Sequence, residues 1–126
     1  MSALNRLVAG SVISAPIYVK WAGASGRIFE FELNTIGTSY QPHSGVYIFC
    51  HFGPRNGLVA DYLDVAEDFA RRIGGDVKSH RHWDEISSAG STHICTLHVP
   101  GGATARVKIE RDLRRALMPR KSQMAA

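Results

Sequence analysis

The chain has 126 residues, 44% hydrophobic and 21% charged, which fits one globular domain and excludes a disordered or fibrous chain. Its formal charge is +4, with much of the excess in Arg106, Lys108, Arg111, Arg114, Arg115, Arg120 and Lys121, a bias that suits a polyanionic partner and equally a solvated basic face. No apolar run approaches a membrane span, residues 7–13 make a poor signal peptide, and Cys50 and Cys95 lack CxxC spacing, so the expected setting is the cytoplasm, with no membrane partner.

Leu4, Leu7 and Val8 share a face, which predicts a short helix over residues 3–9, stopped by Gly10 and Ser11. Residues 16–21 and 27–33 flank a Gly-rich turn. The second run alternates, with Ile28, Glu30 and Glu32 on one side and Arg27, Phe29, Phe31 and Leu33 on the other. It reads as a β-hairpin with one wet face, placed to extend or cover an edge of a central sheet. Residues 45–49 and 58–64 are short apolar and aromatic segments around a turn-rich connection, and predict a second strand pair. Over residues 65–73, Ala66, Phe69, Ala70 and Ile73 follow helical spacing, Asp64 and Glu67 make a capping box, and Gly74-Gly75 supplies the stop.

A second helix is expected from Ser79 to Ser88, closed by Gly90, and a strand from Thr92 to Val99, both cysteines falling in strands. Either two buried thiols or one disulfide between adjacent strands fits that placement. The longest helix is expected to start at Ala103 or Thr104 and to end at Pro119, with Ile109, Leu113, Ala116 and Leu117 as its apolar stripe. The fold class is therefore α+β: a small, mainly antiparallel sheet flanked by helices, in one domain spanning residues 1–126.

Tyr47 and Tyr62 fall on the strand pair, Arg72 on the flank of the following helix's buried stripe, and Glu110 at the border of the last helix's buried face, where a carboxylate needs a partner. Arg71 lies on the outer face, four residues after Glu67, as an ordinary surface pair. Each residue alone has a structural reading. The tyrosines suit sheet packing, Arg72 suits a helix end, and Glu110 suits a pair with Arg106 or Arg114. A zinc site drawn from Cys50, His51, His80, His82, His93 and Cys95 has enough ligands but no recognised spacing.

Taken in order, Tyr47 in Gly45-Val46-Tyr47, Tyr62 in Tyr62-Leu63-Asp64, Arg72 ten residues later and Glu110 on a late helix resemble the signature of the GIY-YIG nuclease superfamily. The resemblance covers residues 44–122 and leaves residues 1–43 as an N-terminal helix and hairpin extension. It implies a metal-dependent endonuclease that hydrolyses DNA phosphodiesters, with DNA favoured over RNA. Glu110 would hold Mg²⁺ or Mn²⁺, Tyr47 and Tyr62 would orient the attacking water, and Arg72 would neutralise charge on the phosphorus oxygens. His80, rather than His82, would take the place of the histidine that follows the family's arginine. Arg55, in the connection between the tyrosines, together with Arg114, Arg115, Arg120 and Lys121, would face nucleic acid.

Two positions depart from the family's pattern. Asp64 replaces the glycine that closes the second motif, and Ser122 replaces a late asparagine. Asp64 suits a helix N-cap but adds negative charge beside a phosphate site, and Ser122 lacks the amide's paired donor and acceptor. The alternative is then a catalytically degenerate domain of the same fold that binds nucleic acid or protein without cutting.

Overall fold

The computed structural model of the chain describes residues 15–118. Five strands, β1 (Ile17–Ala22), β2 (Ile28–Thr35), β3 (Gly45–Phe52), β4 (Leu58–Ala66) and β5 (His93–His98), form one antiparallel sheet in the order β1-β2-β5-β3-β4. Three helices, α1 (Phe69–Arg72), α2 (Trp83–Ser88) and α3 (Ala103–Leu117), flank it. None of the described helices is long and apolar enough to cross a membrane. The expected α+β architecture is the observed one, and β2 joins the N-terminal hairpin to the sheet by pairing with β5. Ser25, in that hairpin's turn, donates its backbone N–H to Asp112 Oδ1 on α3 at 2.8 Å, tying the hairpin to the far layer.

Alternation along the strands sorts the core into two clusters on opposite faces of the sheet. Val46, Ile48 and Cys50 of β3 pack with Phe29, Phe31, Leu63 and Cys95 under Ile109, Leu113 and Leu117 of α3. Tyr47 and Phe49 point the other way, with Tyr62 and Ile94, against Phe69, Ile73, Val77 and Ile86. Each fully buried aliphatic or aromatic side chain contributes roughly 1.5–3 kcal/mol, so both layers are needed to hold β3, whose first six residues are all buried. At Gly45 a Cβ would lie 1.9 Å from the Leu97 carbonyl oxygen; only glycine lets β3 begin this close to β5.

Several sequence expectations are corrected. Val65 and Ala66 extend β4, paired with Val46 and Gly45, and the helix is confined to Phe69–Arg72. Pairing with β3 holds 65–66 extended, which overrides the helical spacing. Asp64 is therefore no N-cap. That role belongs to Asp68, whose carboxylate accepts the Arg71 backbone N–H at 3.2 Å. The helix expected from Ser79 is a 3-10 turn over Val77–Ser79 followed by α2, because His80 is extended and breaks the run. Ala116 is exposed and does not belong to the apolar stripe. The connection carrying Arg55 is a tight turn, with the Gly53 N–H donating to the Gly57 carbonyl at 2.7 Å. At about 3.3 Å per residue along β3, this turn stands roughly 17 Å from Tyr47. The helix expected over residues 3–9, Arg120, Lys121 and Ser122 lie outside the described residues.

Candidate functional site

Tyr47 sits in the middle of β3, between Asp64 of β4 and Thr96 of β5. Its side chain is fully buried on the α1/α2 face, and its hydroxyl lies 2.8 Å from His80 Nε2. The extended backbone at His80 that ends the 3-10 turn delivers the ring to this position. The Nδ1 of His80 accepts the His82 backbone N–H at 3.0 Å. An N–H can only donate, so in the neutral ring the proton sits on Nε2 and is donated to the Tyr47 oxygen. Burial holds the His80 pKa below its ordinary value, and the neighbouring positive charges of Arg72 and Arg81 lower it further. His80 is thus a neutral donor near pH 7.

The two phenols shift the other way. Burial raises the Tyr47 pKa, the Asp64 charge raises it again, and the Arg72 guanidinium pulls it part of the way back. Burial also raises the pKa of Tyr62, whose hydroxyl donates to Asp64 Oδ2 at 3.0 Å. The His82 ring stacks on Tyr62 with centroids 5.1 Å apart, while His80 meets the same ring edge-on at 5.5 Å. Both tyrosines remain protonated at neutral pH, so neither stands ready as a phenolate base.

Above this buried cluster is a basic surface. Arg71, Arg72 and Arg81, all exposed, line a pocket of about 340 Å³ together with Ser79 and His80. A neighbouring pocket of about 350 Å³ is lined by Arg71 and Arg72 with Glu67 and Asp68. The ion pairs of the described residues involve His51, His82 and Arg114, and none of these three arginines. Arg71 and Arg81 were not singled out as site residues by the sequence. The available signal was the density of arginines around the Tyr47, Arg72 and His80 positions.

Tyr47, Tyr62, Arg72 and His80 therefore converge, whereas Glu110 stands elsewhere. It projects from α3, the helix that covers the opposite face, and its carboxylate is held by Arg114, whose Nη2 also donates to the Leu63 carbonyl at 2.7 Å. The carboxylates that bear most strongly on the tyrosines are Asp64 and Glu85. Arg115 is exposed on α3. Another polar cluster escaped the sequence reading. Asp61 is the extra residue where the β3–β4 register shifts, and its carboxylate takes His51 Nδ1 at 2.9 Å and the Ser91 hydroxyl at 2.6 Å. It ties β3, β4 and the segment before β5 together.

These positions do not fit the metal that the family resemblance implies. Mg²⁺ takes oxygen ligands from one or two carboxylates and keeps several waters. Glu110 is committed to Arg114, and both Asp64 oxygens are engaged, by the Tyr62 hydroxyl and by the Val65 N–H at 2.8 Å. The zinc set is also divided, since Cys50 and Cys95 belong to the core under α3 while His80 packs among the rings on the other face. Among the described residues no group of three or more His, Cys, Asp or Glu side chains is placed to hold a metal. No protein-family model, curated protein or solved structure matches the chain.

Proposed function

We propose that this chain is a nucleic-acid-binding domain that grips the phosphate backbone with Arg71, Arg72 and Arg81 and does not cut it, a GIY-YIG-like domain turned to binding. The observation that carries the reading is the group of three exposed guanidinium groups around one pocket, with none of them in an ion pair among the described residues. Guanidinium groups are weakly hydrated, stay charged at any working pH and match phosphate oxygens in pairs. His80 lines the pocket as a neutral ring whose Nε2–H is engaged by Tyr47, so the charge offered there is that of the arginines. DNA is the favoured ligand, and the cytoplasm, where Cys50 and Cys95 stay reduced, is the proposed setting.

The test is fluorescence anisotropy of labelled single- and double-stranded DNA, with RNA of the same sequence as comparison, across a salt series. Binding should weaken as salt rises. On duplex DNA, Arg72→Ala and Arg81→Ala should each lower the magnitude of the log–log salt slope by about 0.9, as loss of one phosphate contact does. Salt-independent affinity, or slopes unchanged in both variants, would refute the assignment.

Hydrolysis is the second reading, favoured by the approach of the Tyr47 hydroxyl to His80 Nε2 with Arg72 beside it. It is tested by nicking of supercoiled plasmid in Mg²⁺ or Mn²⁺. The binding reading expects none, while metal-dependent nicking lost in Arg72→Ala would replace it with the nuclease.

A further inference from the structure

Pro100-Gly101-Gly102 leads into α3 at the end of the sheet where β3 begins. Gly101 adopts φ +99°, a left-handed conformation suited to glycine, and Gly102 is the extended N-cap at φ −80° and ψ 175°. Gly102 has no side chain to accept from the first-turn amides, no other side chain among the described residues caps them, and the first turn contains no acidic residue. A helix of 15 residues therefore presents the positive end of its dipole uncapped.

Arg106, in the same first turn, is only 6% exposed. Its Nη1 donates back to the Gly101 carbonyl at 3.0 Å, while its buried Nε has no hydrogen-bond partner. A buried cation beside the positive end of a helix has the wrong sign for that dipole and is unfavourable unless an anion answers it. None of the ion pairs among the described residues includes Arg106, and Glu110, one turn along, is held by Arg114.

We infer that the Gly101-Gly102 turn, the backbone N–H groups of Ala103, Thr104 and Ala105 and the Arg106 guanidinium form a binding site for a phosphate-sized oxyanion, separate from the Arg71–Arg72–Arg81 surface. The amides supply directed donors, the glycines let the ligand approach the backbone, and Arg106 supplies the countercharge. The inference does not depend on the nucleic-acid reading.

The test is an amide-resolved NMR titration of the full chain with inorganic phosphate against chloride of matched ionic strength, with thermal unfolding in both buffers. Saturable shifts at Ala103, Thr104 and Ala105 and a phosphate-dependent rise in Tm are expected in the wild type. Arg106→Gln should weaken both. Gly102→Asp decides the matter even if that variant fails to fold. A side chain at Gly102 meets open space, Asp is a favoured N-cap, and its carboxylate would occupy the anion's position. This variant should be at least as stable as wild type in chloride and should lose the phosphate response. Absence of saturable shifts at these amides in the wild type, or a full response in Gly102→Asp, would overturn the inference. Matching shifts from a 5′-phosphorylated but not a 5′-hydroxyl trinucleotide would assign the site to a phosphomonoester end, and shifts from inorganic phosphate alone would restrict it to the free ion.

Discussion

Tyr47 and His80 hold the centre of the molecule through one buried hydrogen bond of 2.8 Å whose donor is fixed by the His82 backbone. Tyr47→Phe leaves the His80 Nε2–H without its acceptor, and the expected loss of stability is about 1–3 kcal/mol, read by urea unfolding. The same pair sets a pH dependence. The folded-state pKa of His80 lies below its ordinary value of 6.5, so between those two values the unfolded chain binds the extra proton. Stability should therefore be full above about pH 6.5 and fall as the pH drops from there toward the folded value. Unfolding curves from pH 5 to 8 should show this decline in the wild type and a shallower one in His80→Gln; identical curves would remove His80 as the cause. Tyr47, Arg72 and His80 could be picked out in the sequence by their order along the chain. The proton on Nε2 could not be, because it follows from the extended backbone at His80.

At the scale of elements, the hairpin of β1 and β2 and the helix α3 were legible because each has a periodicity that one buried face enforces, whereas β5, which sends Cys95 to one core and Ile94 to the other, was legible from its apolar and β-branched residues. Phe29 and Phe31 alternate with exposed residues, and Ile109, Leu113 and Leu117 recur at helical spacing. Residues 65–73 were misread because Ala66, Phe69, Ala70 and Ile73 carry the same spacing, yet β3 supplies pairing partners for Val65 and Ala66. The cap then moves from Asp64 to Asp68. Asp68→Ala should cost about 1 kcal/mol by loss of the α1 cap. Asp64→Ala should leave α1 intact in backbone chemical shifts and act on Tyr62 instead, by removing the acceptor of its hydroxyl. Equal damage to α1 from both substitutions would contradict this division.

Over the whole molecule, the sheet separates chemistry that lies close in the sequence pattern. Cys50 and Cys95, on the α3 side, are fully buried with sulfurs 3.8 Å apart, and both are free thiols. Burial makes a thiol inert, so neither cysteine should react with an aromatic disulfide reagent in the folded protein, and both should react after unfolding in urea. Fast labelling of either one under native conditions would show that the α3 layer opens. Glu110 is on that side with Arg114, whereas Tyr47 and Tyr62 face α1 and α2. On the proposed reading Glu110→Ala should therefore leave nucleic-acid affinity unchanged within twofold while Arg72→Ala weakens it. A loss on Glu110→Ala equal to that of Arg72→Ala would mean that both faces contribute to one site.

By itself the sequence determined the α+β class, the strands and the long helix, since hydrophobic patterning and turn residues act locally. It also marked Tyr47, Tyr62, Arg72 and His80. Only the tertiary structure decided that these four meet and that Glu110 does not join them, because the face a residue occupies depends on which strands pair and on which side each helix packs. The uncapped start of α3 and the buried Arg106 beside it belong to the same category. A glycine pair before a helix is ordinary in a sequence, and the cost of a cation there arises only once it is buried.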